Sequence, residues 1–239
     1  MTGSDLRQSH PPSRQSLEWH DGDMPYSKEF GDHFYCRTEG RLECGHVFLA
    51  GNGLPERWRA GGAFTIGELG FGTGLNFCET WRQWNGIGSS GGHLHFVSFE
   101  RFPMEAAEID RALSHWPEIE CERRALVANW PETPKERVEI DFSDKVRLTV
   151  VCGPALEGVA ASPERFHAWY LDGFAPSRNP DMWSPELMQL VFDKTAAGGT
   201  FATYAAAGFV RRNLVRAGFL VERRPGFAGK REMLRGDKA

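Results

Sequence analysis

The chain has 239 residues, a formal net charge of −4 and 41% hydrophobic residues. This length allows one or two domains with a substantial core, and the mild acidity argues against a protein that coats nucleic acids or membranes non-specifically. The charge is uneven, because residues 209–239 hold nine Lys/Arg against three Asp/Glu and carry +6, leaving −10 on the remainder. A polyanion would therefore meet mainly the C-terminal end, although a solvated strand pair would account for the same charge.

The cysteines are odd in number and contain no C-x-x-C pair: Cys36, Cys44, Cys78, Cys121 and Cys152. Neither a disulfide framework nor a zinc cluster is indicated, so we expect free thiols in a reducing, cytoplasmic compartment. No apolar run approaches the ~18 residues of a membrane helix, and no export signal opens the chain, so we expect a soluble protein. Apart from His93 and His95, which flank a strand start, the eight histidines show no metal-like clustering. We expect all eight to be structural or solvent-facing, and no metal site is predicted.

The first residues are too polar to offset the entropy of ordering, and residues 1–18 are predicted to be a disordered tail. Residues 19–63 contain two short runs typical of strands, HFYCR and HVFLAGN, separated by turn residues. They predict a small β-rich N-terminal element.

Residues 64–239 alternate between strand-like and helix-like segments. The order is AFTIGEL, TGLNFCETWRQW, LHFVSFE, PMEAAEIDRALSHW, VRLTVVC, HAWYLDGF, SPELMQLVFDKTA, GGTFATYA and GFVRRNLVRAG. This alternation predicts a parallel sheet covered by helices. The last two strand-like runs, FLVERR and KREMLRG, are joined by a tight connection and must pair antiparallel. A parallel sheet that closes with an antiparallel hairpin resembles the Rossmann-like fold of class I S-adenosyl-L-methionine (SAM) methyltransferases.

The first strand-to-helix turn, ELGFGTGLNF, carries Gly70, Gly72 and Gly74. Glycines at this turn let the backbone approach a ligand and adopt positive φ. Their G-x-G-x-G spacing differs from the G-x-G-x-x-G that holds a dinucleotide pyrophosphate, and it suits SAM, which has no phosphate. Glu68 at the strand end is predicted to contact the methionyl ammonium directly or through water, while a purely structural turn is the alternative.

The tips of the next strands carry further polar residues. Glu100 ends LHFVSFE and is placed to accept hydrogen bonds from ribose hydroxyls, unless it only opens the next helix. In YLDGFAPSRNPDMW, Asp172 is expected across the cleft from the glycine turn, where it accepts a hydrogen bond from an amine and removes or steers its proton, unless it only caps a turn. Phe174 can form an aromatic wall beside the methyl sulfonium, whereas core packing is expected for Trp183.

These residues resemble the MnmC/MnmD family of bacterial tRNA 5-methylaminomethyl-2-thiouridine methyltransferases. The resemblance runs from about Trp19 to Gly236 and rests on GDHFYC, HVFLAGNGLPER, ELGFGTGLNF, HFVSFERFP, HWPEI, WYLDGFAPSRNPDMW, GGTFATY, AGFVRR and GKREMLRG. It implies methyl transfer from SAM to the exocyclic amine of 5-aminomethyl-(2-thio)uridine at the tRNA wobble position.

Residue roles follow from the matching motifs. The resemblance implies that SAM is bound by Glu68, Gly70, Gly72, Gly74, Asn76 and Glu100. It implies that Asp172 lies between cofactor and amine. It also implies that the nucleoside pocket or the anticodon backbone is met by Phe174, Asn179, Lys230 and Arg231.

Two departures from the family pattern carry expectations. Pro154 stands where the family usually has Asp, and proline offers neither a carboxylate nor an N–H to adenine. Adenine must then be held by backbone, by packing or by another side chain. The chain also has no room for the FAD-dependent oxidoreductase half of the bifunctional form, so a separate oxidoreductase or another route is expected to supply the free amine.

Three other functions remain open at this level. A methyltransferase or aminopropyltransferase of small amines shares the fold and the aspartate. A catalytically silent tRNA-binding or SAM-sensing module is suggested by Pro154. A nicotinamide oxidoreductase is disfavoured by the glycine spacing and the terminal hairpin.

Overall fold

The computed structural model describes residues 16–36, 39–87 and 92–239. The N-terminal part opens with three short antiparallel strands in the order β1–β2–β3: β1 (Leu17–His20), β2 (Met24–Ser27) and β3 (Asp32–His33). A continuous helical stretch follows, with α1 (Gly40–Glu43), a π-helical segment (Cys44–Leu49) and a 3₁₀ turn (Ala50–Asn52). A second 3₁₀ turn covers Glu56–Ala60.

The rest of the chain forms the alternating part. Its elements are β4 (Ala63–Leu69), α2 (Leu75–Gly86), β5 (His93–Glu100), α3 (Ala106–Leu113), α4 (Glu120–Asn129), β6 (Arg137–Asp141), β7 (Val146–Cys152), α5 (Ala155–Ala161), β8 (Phe166–Leu171), α6 (Pro185–Lys194), β9 (Thr195–Thr203), α7 (Gly208–Ala217), β10 (Leu220–Pro225) and β11 (Glu232–Asp237). Short 3₁₀ turns lie at Pro117–Ile119 and Pro180–Trp183.

These strands form one eight-stranded sheet in the order β10–β11–β9–β8–β4–β5–β7–β6. Strands β9, β8, β4, β5 and β7 are mutually parallel, whereas β11 runs antiparallel to both β9 and β10. The predicted class I methyltransferase fold with its terminal antiparallel hairpin is confirmed. Because β10 runs in the same direction as β9, the turn of the hairpin lies at the carboxyl ends of the parallel strands.

Both faces of the sheet are covered, as near-continuous apolar strands require. Along β8, Ala168 and Tyr170 pack with α2 and the π-helical segment, while Trp169 and Leu171 pack with α6 and α7 on the other face. This alternation follows from the two-residue period of a strand. The strand ends are thereby fixed from both sides.

The N-terminal predictions need correction. HVFLAGN is not a strand, because it lies in the π-helical segment and the 3₁₀ turn after it. Its buried apolar run, Val47–Leu49, suits a buried helix as well as a strand, and periodicity over so few residues cannot separate the two. In HFYCR the strand ends at His33, so residues 19–63 are β-structured only in their first part. Residues 1–15 of the predicted tail lie outside the described residues, and β1 begins at Leu17.

One strand escaped prediction altogether. β6 pairs antiparallel with β7 at the edge of the sheet, with Val138 and Ile140 buried between exposed neighbours. Its five residues alternate over too short a run, within a highly charged stretch, to stand out from a loop. The edge strand does not reach the site described below.

No helix within the described ranges is long and apolar enough to cross a membrane. All five cysteines are free thiols.

Candidate active site

A cavity of about 700 Å³ lies at the carboxyl ends of β4, β5, β7 and β8. Eight of the eleven residues predicted for the site line it: Gly70, Gly72, Asn76, Glu100, Asp172, Phe174, Asn179 and Lys230. Glu68, Gly74 and Arg231 do not belong to this lining. Ligands of open α/β sheets bind at such strand ends, and the volume suits a ligand of drug-like or cofactor size.

The glycine turn between β4 and α2 forms one wall. Gly70 has φ +90° and Gly72 has φ +54°, values that side-chain-bearing residues rarely adopt. A Cβ on Gly70 would lie 3.6 Å from the Cα of Gly173 at the end of β8, and would narrow the gap between the two strand ends. Gly74 lies behind the wall with φ +79°, and a Cβ there would come 2.9 Å from the Phe71 ring, so both the turn and its packing favour glycine.

Glu68 is fully buried beneath this wall. Its carboxyl accepts hydrogen bonds from Ser98 Oγ at 2.7 Å and from Asn76 Nδ2 at 3.0 Å. Burial raises the pKa of Glu68 well above its usual value. Glu68 does not line the cavity in this arrangement, and its carboxyl is connected to the cavity through Asn76. Its predicted contact with a ligand, directly or through water, stays a prediction.

Asn76 links two carboxyl groups. The same Nδ2 donates to Asp172 Oδ2 at 2.9 Å, so both hydrogens of the amide are used. Asp172 follows the last residue of β8, and its Oδ1 accepts from the backbone N–H of Gly173 at 2.9 Å. The prediction that Asp172 lies near the glycine turn is confirmed by this bond to the first turn of α2.

The carboxyl of Asp172 has a pKa close to neutral pH. Burial raises its pKa from 3.8 to about 7, and the hydrogen bonds from Gly173 and Asn76 oppose that rise. A carboxyl with a pKa near 7 can hold or release a proton under physiological conditions. The site thus contains a group suited to accepting a proton from an amine.

Glu100 lies at the end of β5 with two backbone donors. Its Oε2 accepts from Gly72 N at 2.9 Å and its Oε1 accepts from Phe102 N at 2.7 Å. Burial raises its pKa, while these backbone hydrogen bonds act in the opposite direction. A carboxylate has about four acceptor positions, and Glu100 lines the cavity, where it is placed to accept from the hydroxyls of a ligand.

Aromatic rings close another side of the cavity. Phe174 stacks on Phe30 with ring centroids 4.7 Å apart and meets Phe34 edge-on at 5.0 Å. The N-terminal strands hold this arrangement, because Asp32 Oδ2 accepts from the backbone N–H of Ala175 at 3.0 Å. The three-stranded N-terminal sheet is therefore part of the site and not only an appendage.

Lys230 reaches the cavity from the hairpin turn. Its Nζ lies 2.5 Å from Glu43 Oε1 and 4.4 Å from the centre of the Tyr204 ring. Tyr204 in turn donates its hydroxyl to the carbonyl of Gly173 at 2.5 Å. Lys230 and Arg231 were predicted to act together, but only Lys230 lines the cavity, and Arg231 is exposed outside it.

Two residues of the β8–α6 loop are also fixed. Trp183 is fully buried and donates Nε1 to the carbonyl of Phe174 at 3.3 Å, which confirms its prediction as a core residue. Asn179 precedes the 3₁₀ turn and lines the cavity. The loop is thus held firmly enough to position Phe174.

The site also contains residues that the sequence did not single out: Phe30, Asp32, Phe34, Glu43 and Tyr204. Three of them lie inside motifs that carried the family resemblance, Asp32 and Phe34 in GDHFYC and Tyr204 in GGTFATY. Those motifs indicated that the segments belong to the family pattern, but they did not indicate what these three residues do. Glu43 had no signal, because its partner is almost 190 positions away along the chain.

Among the described residues, no group of three or more His, Cys, Asp or Glu side chains is arranged to hold a metal ion. His33 does line the cavity, whereas all histidines were predicted to be structural or solvent-facing.

Comparisons with known proteins show the family of this chain. A family described as S-adenosyl-L-methionine-dependent methyltransferase matches residues 117–239. The tRNA 5-methylaminomethyl-2-thiouridine biosynthesis bifunctional protein MnmC of Pseudomonas aeruginosa strain PAO1 is 44% identical over 224 residues, which cover 92% of this chain and 34% of that protein. The protein of the same name from Methylobacillus flagellatus is 45% identical over 236 residues, covering 95% and 36%.

The crystal structure of MnmC2 from Aquifex aeolicus has the same fold. It superimposes with a TM-score of 0.75 at 19% sequence identity, and the match covers 95% of this chain and 72% of that one. This chain spans about a third of the length of the curated relatives. Because the family match covers more than half of the chain, the protein belongs to the S-adenosyl-L-methionine-dependent methyltransferase family.

Proposed function

We propose that this protein transfers a methyl group from SAM to the exocyclic amine of 5-aminomethyl-(2-thio)uridine at the tRNA wobble position, giving 5-methylaminomethyl-(2-thio)uridine. The observation that carries the proposal is the position of Asp172. Its carboxyl, with a pKa near 7, faces the same cavity as the glycine turn and is tied to that turn through Asn76.

The cavity fits the cofactor on its own geometry. Gly70 and Gly72 leave space for a ligand against the backbone, and Glu100 offers acceptors for the two ribose hydroxyls. SAM supplies an electrophilic methyl group on a sulfonium. Asn76 at the start of α2 and Asp172 at the end of β8 are joined by a hydrogen bond of 2.9 Å, and they would hold the reacting amine beside the cofactor.

Asp172 has a defined task in this scheme. An alkylammonium has no lone pair, so its nitrogen must lose a proton before it can attack the methyl carbon. Asp172 accepts that proton, or a hydrogen bond from the neutral amine, and thereby aims the nitrogen along the line of attack. The aromatic ring of Phe174 can attract the electron-poor methyl sulfonium or stack against the uracil ring of the substrate.

The cavity mouth suits an RNA substrate. Several arginines near the carboxyl ends of the strands form no ion pair with any described residue: Arg101, Arg178, Arg212 and Arg231. Arginines elsewhere are mostly paired, for example Arg147 with Asp141 and Arg235 with Glu222. Unpaired guanidinium groups around a cavity can contact phosphates while a splayed base enters.

The names of the curated relatives contain tRNA and the word bifunctional, which supports tRNA as the substrate and a second activity that accompanies methyl transfer. We propose that a separate FAD-dependent oxidoreductase supplies the free amine, and that the protein works in the cytoplasm, where its five cysteines stay reduced.

The experiment that tests the proposal is methyl transfer from labelled SAM to tRNA carrying 5-aminomethyl-2-thiouridine, followed by nucleoside analysis. The expected product is the methylaminomethyl nucleoside. Faster transfer to free nucleoside or to small amines than to tRNA would favour the small-amine methyltransferase. Binding of tRNA without any product would identify a silent tRNA-binding module.

A further inference from the structure

The tip of β7 lacks the acid that a SAM site commonly uses for adenine. Pro154 occupies this position, is exposed and lines the cavity. The neighbouring strand tip carries Glu100, the residue proposed to hold the ribose. The two tips are adjacent because Glu100 and Cys152 are register partners and Gly153 N donates to the Glu100 carbonyl at 2.8 Å. Adjacent strands lie about 4.8 Å apart, so a purine attached to a ribose at Glu100 extends over Pro154.

The surface beyond Pro154 is apolar and open. Leu156 is 44% exposed and lines the cavity, as do Ala155 and Phe102. Few large hydrophobic side chains of the described chain are exposed to this degree. An exposed leucine inside a cavity provides an apolar surface against which a flat purine ring can pack.

Glu157 is the acid of this region. It is the third residue of α5, lines the cavity, is exposed, and has no hydrogen-bond or ion-pair partner among the residues that the structure describes. In a capping box, a glutamate at the third position of a helix accepts the backbone N–H of the residue that caps the helix. Pro154 is that capping residue, and proline has no N–H.

The same protein contains the contrasting case. Glu108 is the third residue of α3, and its Oε2 accepts the backbone N–H of the capping residue Glu105 at 2.8 Å. Side chains in a helix point back toward its N-terminus, so both glutamates lean toward their capping residues. The proline at position 154 therefore removes one acid from the adenine region and leaves another carboxylate unoccupied beside it.

We propose that Glu157 accepts the hydrogen bond of the adenine 6-amino group and replaces the acid missing at position 154. Leu156 and Phe102 supply the apolar contacts to the ring. The inference rests on the placement of SAM in the cavity under the proposed function, and it is independent of the identity of the methyl acceptor.

The test is a thermodynamic cycle on cofactor binding. S-adenosylhomocysteine and its analogue that lacks the 6-amino group are titrated by calorimetry into the wild-type protein, Glu157→Ala and Glu157→Gln. We expect the wild-type protein to prefer the amino compound about 10- to 100-fold, the range for a hydrogen bond to a charged group. Glu157→Ala should bind both compounds nearly equally, and Glu157→Gln, whose amide oxygen still accepts, should lie between them.

Two further variants make the result specific. Glu108→Ala, at the matching position of α3, should keep the wild-type preference. Pro154→Asp in the Glu157→Ala background should restore it. Since the preference compares two ligands on one protein, loss of folding or of general affinity does not imitate the expected result.

An unchanged preference in Glu157→Ala would overturn the inference while leaving the cofactor site intact. Failure of the wild-type protein to bind S-adenosylhomocysteine at all would reject the cofactor site and this inference together.

Discussion

Asn76 Nδ2 lies 2.9 Å from Asp172 Oδ2 and 3.0 Å from Glu68 Oε1, so one amide holds the buried carboxyl of Glu68 and the half-buried carboxyl of Asp172 in place. The bond joins the start of α2 to the end of β8, across the gap that the reacting groups would occupy. A donor to the ionised form of a carboxylic acid lowers its pKa, whereas burial raises it. The balance of these two effects sets the pKa of Asp172 near 7.

Asp172→Asn should abolish most methyl transfer while preserving SAM binding. The amide cannot accept a proton from the substrate ammonium, and loss of a general base lowers rates by about 10²-fold or more. Single-turnover transfer to modified tRNA and calorimetric binding of S-adenosylhomocysteine measure the two effects separately. If cofactor binding were abolished and the rate per bound complex were unchanged, Asp172 would be a binding residue only.

Asn76→Leu should move the pH dependence of methyl transfer. With wild-type protein, we expect the single-turnover rate to rise as pH passes through about 7, because Asp172 must be ionised to accept a proton. Without the Asn76 donor the pKa of Asp172 rises, so the acid limb should shift to higher pH. Asn129→Ala is the control, since that amide lies at the far end of α4 and, among the described residues, donates to the Ala125 carbonyl alone. An acid limb that stays in place would separate Asn76 from the titration.

Asp172→Asn should also stabilise the fold in alkaline solution. The pKa of Asp172 is 3.8 in the ordinary state and about 7 in the folded protein, so the folded state binds more protons between these values. The stability of the wild-type protein therefore falls as pH rises through this window, and the variant lacks that decrease. Above pH 7 the gain should be on the order of 4 kcal/mol, because each unit of pKa difference corresponds to about 1.4 kcal/mol, and below the ordinary pKa it should vanish. Urea unfolding at both extremes measures it; equal effects at both would show that ionisation is not the cause.

Much of this site follows from the sequence because strand tips converge. Gly70, Glu100 and Asp172 end three neighbouring parallel strands, so local patterns alone bring them to one edge. Glu43 and Phe30 come from segments far away in the sequence, and no local pattern predicts their contacts with Lys230 and Phe174. Local periodicity could not show that the HVFLAGN segment is helical, because a short buried apolar run suits a helix as well as a strand. It also could not show that Glu68 is buried beneath the cavity wall.

The Glu43–Lys230 pair should behave as a coupled unit. Glu43 is 8% exposed, so its carboxylate is largely desolvated and depends on Lys230 at 2.5 Å. Lys230→Met should destabilise the protein more than Lys230→Met in a Glu43→Gln background, with a coupling of about 0.5–3 kcal/mol. Urea unfolding of the wild type, both single variants and the double variant gives that coupling energy. Additive effects would mean that the ion pair contributes little, and Lys230 would then be available to the substrate.

The unpaired arginines at the cavity mouth should govern tRNA affinity. Arg178→Glu and Arg231→Glu should each weaken tRNA binding, and each phosphate that is no longer neutralised should reduce the slope of the salt dependence by about 0.7–0.9.

Arg59 and Arg216 are matched controls, because both are exposed, form no ion pair with a described residue, and lie toward the opposite ends of the strands. Charge reversal there should leave affinity nearly unchanged, since screening limits their reach to about 10 Å. Fluorescence anisotropy across a salt series, with S-adenosylhomocysteine binding as a check of folding, measures all four variants. Equal weakening at the mouth and at the control positions would mean that tRNA senses only the total charge, and the carboxyl edge would then have no special part in binding it.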